Sequence, residues 1–307
     1  MASTDIVVVG SCMIDFVSYT SRLPKVGETI HGSKFVTNFG GKGANQCVAA
    51  AKLGGKTTLV ARVGDDIWGE KYIENLKREN VNTEFIKKTD NSTSGIAQII
   101  VSEAGENQIV IVAGANAKLN ANDVISAKSA IERASVVILQ LETSVEVAIK
   151  TLELSKGISI LNGAPALSTY DLKLLTLPTI FCVNETEAAI FTGLSSVNNV
   201  SEAETAARHL IGKGCNSVLI TLGPQGAIYL NKDDHKLLHV SSPKVQSVDT
   251  TGAGDAFIGA LAFVLANQKG VTMEMAMKIA CHVAADSVTR AGTQISFPNA
   301  KILPNIK

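Results

Sequence analysis

The chain has 307 residues, 46% of them hydrophobic and 18% charged, so it can bury a sizeable core and is too apolar for a disordered polymer. Lys plus Arg and Asp plus Glu both number 28, and a zero formal charge argues against nucleic acid as a partner, because neutralising phosphates takes a basic surface. The longest near-apolar stretch, Ala256–Ala266, is about half of what a membrane helix needs, so no membrane partner is expected.

The first residues, Met-Ala-Ser-Thr-Asp, lead straight into a strand-like run without the basic n-region of a secretory leader. Cys12, Cys47, Cys182, Cys215 and Cys281 are odd in number and form no C-x-x-C pair. Both features predict reduced thiols in a cytoplasmic protein, with the nucleus left open.

Short β-rich runs then alternate with amphipathic stretches. Ile6–Val9 is followed by Ala44–Leu53, Thr57–Val63 by Gly69–Glu79, and Val136–Leu139 by Val145–Lys156. Ile158–Leu161 comes next, then Thr179–Val183 with Glu185–Thr192, and last Val218–Thr221. This alternation predicts an α/β fold with a parallel sheet covered by helices on both faces. Two stretches break the rhythm. Phe16–Val36 reads as strand without a helix, and Ile96–Val101 with Gln108–Val112 flanks a Ser-Glu-Ala-Gly-Glu-Asn hairpin turn. They predict a small β-sheet lid from about 16–36 and 95–113; extra edge strands on the main sheet are the alternative.

The most informative segment is Asp249-Thr-Thr-Gly-Ala-Gly-Asp255, entering an apolar helix from Ala256. Gly252, Ala253 and Gly254 permit a tight turn, and the unpaired N–H groups of the helix start make it an anion site. Asp255 stands in the first turn, placed to accept the proton of a hydroxyl nucleophile while the N–H groups take charge on a transferring phosphoryl group. Alone, Asp255 also reads as an ordinary helix-start carboxylate.

A second cluster, Asn38-Phe-Gly-Gly41-Lys42-Gly43-Ala44-Asn45-Gln, opens the helix from Ala44. Its glycines expose N–H groups while Lys42 and Asn45 add charge and amide donors, which suits a polyhydroxylated ligand; a plain strand-to-helix turn is the bland reading. Gly43 after Lys42 rules out a Walker A loop, and neither Gly-rich segment spells the dinucleotide fingerprint. Asp15, in Gly10-Ser-Cys-Met-Ile-Asp15, reads either as a carboxylate at a sheet's C-terminal edge that grips hydroxyls or as a turn residue.

Gly40–Gly54 and Asp249–Ala260 together resemble the two signatures of the ribokinase-like (phosphofructokinase B type) carbohydrate kinases, a likeness running from Val7 to about Pro298. The resemblance implies one kinase domain over 1–307, built as a three-layer sandwich on a mostly parallel central sheet with a β-lid that pairs two subunits into a homodimer. It implies transfer of phosphoryl from ATP to O5 of D-ribose with Mg2+ and K+; 2-deoxyribose or another small sugar is the alternative. It places Met13, Ile14, Asp15, Gly41, Lys42, Gly43, Ala44, Asn45, Glu142 and Asp255 at the sugar. Asn184, the loop Thr221-Leu222-Gly223-Pro224-Gln225-Gly226, Gly254, Asp255 and Cys281 fall at the nucleotide. Glu187 would hold magnesium through water, and Asp249, Thr251, Ser287, Arg290, Gly292 and Ser296 would hold potassium.

Apart from the resemblance, Asn184-Glu-Thr-Glu187 reads as a capping box and Thr221–Gly226 as a plain turn. Three positions depart from the family pattern: Met13 where an Asn is common, Gly163 where a Pro is common, and Cys281, with His282 beside it, where His or Asn is usual. A nucleoside kinase is disfavoured because Trp68 is the only tryptophan and no aromatic set lies near the sugar motifs to stack a base. A non-catalytic sugar-binding protein would not need Gly252, Gly254 and Asp255 intact, and a glycosidase would leave the anion turn without a purpose.

Overall fold

The computed structural model describes residues 5–303; the first four residues, read above for a leader, lie outside them. In chain order the strands and helices are β1 (Ile6–Val9), β2 (Met13–Thr20), β3 (Lys34–Gly40), α1 (Lys42–Lys52), β4 (Thr57–Gly64), α2 (Ile67–Arg78), β5 (Asn82–Thr89), β6 (Gly95–Ser102) and β7 (Asn107–Val112). They continue with α3 (Ala121–Ser126), α4 (Lys128–Arg133), β8 (Val136–Leu139), α5 (Val145–Leu154), β9 (Ile158–Asn162), α6 (Lys173–Thr176), β10 (Ile180–Asn184), α7 (Glu185–Thr192) and α8 (Val200–Gly212). The last are β11 (Ser217–Thr221), β12 (Ala227–Asn231), β13 (Leu237–Val240), α9 (Ala253–Asn267) and α10 (Met273–Ser287).

Nine strands form one sheet in the order β13-β12-β11-β10-β9-β8-β1-β4-β5. It is parallel from β11 through β5 and antiparallel only at the β12 and β13 edge. Alternation along β1 shows the three layers. Ile6 and Val8 join the core under α1, α2, α9 and α10, while Val7 and Val9 join the core under the helices from α3 to α8. Both faces of β1 are buried, which is why it reads as an unbroken apolar run.

The lid is a separate four-stranded sheet in the order β3-β2-β6-β7. Two sequence readings change here. Phe16–Val36 is not strand throughout: β2 already begins at Met13, and residues 21–33 carry no strand. Asp15 is neither a turn residue nor at the edge of the large sheet; it lies inside β2, opposite Asn38 of β3 and Ala97 of β6. Phe16 against Trp68 and Phe39 against Tyr72, edge to face at 5.2 and 5.0 Å, anchor the lid to α2.

The elements without a clear sequence signal are β5, α3, α4, α6, α8, β12, β13 and α10, which lie mostly at the sheet's edges or on its outer layers. All five cysteines are buried and free. Among the described residues no helix is long and apolar enough to cross a membrane.

Candidate active site

Helix α9 starts at Gly252, which takes a left-handed conformation at φ 78°. A Cβ there would stand 2.5 Å from Cγ2 of Thr293, so both the dihedral and the space demand glycine. No side chain caps this helix start. The turn therefore presents N–H groups and the positive end of a 15-residue helix to whatever lies in front of it.

In front of it is a cavity of about 160 Å3 lined by Gly252, Ala253, Gly254, Asp255, Thr250, Lys42, Asn162, Asn184, Glu187 and Thr221, with Cys182 and Ile258 among its apolar walls. The structure thus gathers the anion turn, the candidate base, Lys42, the Asn184–Glu187 pair and the first residue of the nucleotide loop. Asn162, Thr250 and Cys182 were not anticipated.

The reason α1 and α9 meet here is close packing one turn further in. A Cβ on Gly259 would lie 2.5 Å from Cβ of Ala49, so the two helices touch almost backbone to backbone. One turn towards their N-termini, that approach brings Asn45 and Gln46 against Asp255. Nδ2 of Asn45 donates to Oδ2 of Asp255, and Nε2 of Gln46 donates to Oδ1, both at 2.9 Å. Asp255 is 7% exposed, so its carboxylate is held by two amides in a site open only towards the cavity.

The other Gly-rich helix start behaves differently and corrects the sequence reading. The N–H groups at the head of α1 are not left exposed. Lys42 N–H donates to Oε2 of Glu142 at 2.9 Å, Gly43 N–H reaches Oγ of Ser11 at 3.4 Å, and Ala44 N–H donates to the Ser11 carbonyl at 3.0 Å. Ser11 also bonds the same Glu142 carboxylate oxygen. Glu142 lies three residues past the end of β8 and serves as the missing cap of α1. Of these two Gly-rich starts, α9 spends the Ala253 N–H on the Thr250 carbonyl at 3.2 Å and has no side chain capping the donors that follow.

Four carboxylates surround Lys42 or one another here. Burial works against the Lys42 ammonium, but Asp255, Glu142 and Glu187 outweigh it and raise its pKa. Burial, with Glu142 and Asp255 nearby, pushes the Asp15 carboxyl up to about 7. Glu187 is also raised, chiefly by burial. Its Oε2 accepts the Asn184 N–H while the Asn184 side chain accepts the Glu187 N–H, both at 2.9 Å, so the capping box exists and faces the cavity.

Most of the other candidates do not line the cavity. Met13 is buried, and its Sδ accepts from Nδ2 of Asn116 at 3.6 Å; Ile14 is fully buried in the core. In the loop after β11, Thr221 lines the cavity while Gln225 donates to the Asn198 carbonyl at 2.9 Å. Cys281 points into the α10 core, 4.0 Å from the Val240 carbonyl and 4% exposed, so its thiol does not offer a nucleotide the exposed polar group that His or Asn would. The Asp249 carboxylate joins two loops, accepting Thr251 N–H and Gly292 N–H at 2.9 Å each. Burial alone would raise its pKa, but the Thr251 and Gly292 donors lower it. Arg290 holds the Ser296 carbonyl with its guanidinium, Nη2 at 2.8 Å, and Ser287 Oγ is turned back on its own helix.

A helix start with free donors, a buried carboxylate beside it and a lysine across the cavity define a phosphotransferase built on an α/β sandwich with a lid. Residues 3–300 match the pfkB family carbohydrate kinases, and the chain belongs to that family. It is 49% identical to a ribokinase of Mus musculus over 97% of this chain and 93% of the mouse protein. It is 41% identical to a deoxyribokinase of Salmonella typhi, covering 96% of each. The structure of Arabidopsis thaliana ribokinase complexed with ribose and ATP superposes with a TM-score of 0.88 at 30% identity, covering 98% of this chain and 97% of that one.

Proposed function

We infer that this chain phosphorylates D-ribose at O5 using ATP, with the whole sequence acting as one kinase unit in the cytoplasm. The observation that carries the reading is Asp255, clamped by Asn45 and Gln46 beside the uncapped Gly252-Ala253-Gly254 turn. The sugar hydroxyl gives its proton to Asp255 as its oxygen attacks the γ-phosphorus, and the bond to the β-bridging oxygen breaks to release ADP. The turn's N–H groups and Lys42 take up charge on the phosphoryl oxygens. Asp15, with Asn45 and Glu142, grips the remaining hydroxyls, while Asn184 and the Thr221–Gly226 loop take the nucleotide.

The chemistry of two donor sets supports a role for two ions. Glu187 lines the cavity with one carboxylate oxygen engaged by its cap, which suits a hydrated Mg2+ held through water. Magnesium would neutralise charge on the nucleotide phosphates. The carboxylate of Asp249 with oxygens from Thr251, Ser287, Arg290, Gly292 and Ser296 is an all-oxygen set suited to a monovalent cation such as K+, which would stiffen the loop packed behind Gly252.

The lid supports a homodimer. Every residue of the edge strand β7 is exposed, including Ile109, Val110, Ile111 and Val112, and a second lid would cover this unpaired apolar edge.

A 2-deoxyribose kinase is the second reading, favoured by Met13, whose thioether offers a sugar no hydrogen-bond donor. The deciding experiment measures ATP consumption across pentoses, hexoses and nucleosides with wild type and Asp255→Asn. The expected result is turnover on ribose that falls at least ~100-fold in Asp255→Asn with ATP binding retained. Near wild-type kcat in that variant sinks the assignment of the base.

A further inference from the structure

Asp255 accepts hydrogen bonds and donates none when ionised, so both carboxamides touching it must present their NH2 groups. That choice propagates outward. With Nδ2 of Asn45 spent on Asp255, its Oδ1 faces Gln294 and needs a donor, and Nε2 of Gln294 supplies it at 3.0 Å. The same Nε2 lies 3.1 Å from the hydroxyl of Tyr72, and Oε1 of Gln294 accepts from Nδ2 of Asn75 at 3.1 Å. On the other side Nε2 of Gln140 donates to Oε1 of Gln46 at 2.7 Å, which turns the Gln46 amide towards Asp255 and Asn162.

Every carboxamide in this relay therefore donates in the direction of the carboxylate: Asn75 to Gln294 to Asn45 to Asp255 from one side, Gln140 to Gln46 to Asp255 from the other. Asn45, Gln46, Gln140 and Gln294 are each at most 5% exposed, so water cannot substitute for a missing partner. Aligned amides in a low-dielectric interior polarise one another, and reversing one reverses what its neighbour must present.

We propose that Gln294 is a positioning residue for the base: it fixes the flip of the Asn45 amide so that an N–H, and never a carbonyl, faces Asp255. Resting on the reading of Asp255 as the base, this gives a purpose to a residue 39 positions beyond it that touches neither the carboxylate nor the cavity lining. It also ties the base to the lid, because the Tyr72 hydroxyl that meets Gln294 donates to the carbonyl of Gly40, the last residue of β3. The loop carrying Gln294 packs behind the anion turn through Thr293 and Gly252.

Two variants separate orientation from packing. Gln294→Glu keeps shape and can still accept from Asn75, but it sets an acceptor against Oδ1 of Asn45 and against the Tyr72 hydroxyl, whose proton is given to Gly40. The Asn45 amide then turns its NH2 to the introduced carboxylate and its carbonyl to Asp255. Gln294→Met removes the bonds without reversing anything. The measurements are kcat, KM for ATP and Tm, for each variant alone and combined with Asp255→Asn.

Gln294→Glu should lower kcat by about tenfold or more, Gln294→Met by only about two- to fourfold, both with KM for ATP unchanged. In the Asp255→Asn background neither should cause a further loss, because the group being positioned is gone. A packing role predicts the opposite order, Met worse than Glu, and a loss that persists in Asp255→Asn; either result overturns the proposal. If Gln294→Glu does not fold, the Gln294→Met cycle decides alone by the same criterion. Near wild-type kcat in Asp255→Asn by itself would sink the base, whereas additivity with that variant intact in its defect would sink only the role of Gln294.

Discussion

Glu142 accepts the backbone N–H of Lys42 at 2.9 Å across 100 positions of chain, so a carboxylate assigned to the sugar also caps the helix that carries Asn45 and Gln46. Glu142→Ala should therefore cost both sugar affinity and stability, about 1–2 kcal/mol for the lost cap and a Tm lower by a few degrees. Glu142→Gln keeps an acceptor for Lys42 and should recover most of the Tm while the KM for sugar stays raised. Equal Tm losses in the two variants would show that the cap is not what Glu142 supplies.

Asp15 should give the enzyme a pH dependence near neutrality. Its pKa rises from 3.8 to about 7, by burial first and then by Glu142 and Asp255. For folding, a raised pKa means the stabilisation is complete below about 3.8 and is lost as pH climbs through about 7. Sugar binding runs the other way, because hydroxyls donate to the charged form. The kcat/KM for sugar should rise about tenfold per pH unit below 7 and level off above it. Asp15→Asn should lie lower and lose that inflection; an unchanged inflection assigns it to another group.

Gly254 tests the anion turn directly. A Cβ built there meets no protein atom within 4 Å, and Gly254 lines the cavity, so alanine fits the fold but intrudes where the phosphoryl group must approach. Gly254→Ala should hold or raise Tm, since alanine is favoured over glycine in a helix by about 0.5–1 kcal/mol, while kcat falls about 100-fold from misplacement of the transferring group. Unimpaired turnover would remove the turn from the reaction.

Potassium should activate more than sodium when each chloride is compared at equal ionic strength in Tris buffer. Asp249→Asn, which weakens the carboxylate joining Thr251 to Gly292, should erase the difference. Equal rates in both salts and in neither would remove the cation site.

Met13 bears on which pentose is preferred. Its thioether accepts from Asn116, the residue whose amide also bonds the backbone N–H and carbonyl of Cys12, so the side chain is held in place. Met13→Asn should favour ribose over 2-deoxyribose by about 1 kcal/mol, several-fold in the ratio of kcat/KM values. An unchanged ratio makes Met13 a packing residue.

Local sequence alone was sufficient for the anion turn, the capping box and the β-α alternation. Each depends on residues within a few positions of one another: Gly252 to Asp255, Asn184 to Glu187, and the apolar runs of β1, β8 and β11. The two helix starts, both Gly-rich, could not be told apart that way. Glu142 and Ser11 consume the donors of one and leave the other open, and they arrive from 100 and 32 positions away. Asp15 likewise carries no local sign that it belongs to the lid, because strand pairing with Asn38 and Ala97 places it there. The amide clamp on Asp255 was within reach only as two adjacent carboxamides at a helix start. Their function depends on how closely α1 and α9 approach at Ala49 and Gly259, and on Gln294 arriving from a loop that no pattern links to them. Asn45 meets Asp255 across 210 positions and Gln294 across 249. Partners that far apart are chosen by packing, and packing is decided only in the folded chain.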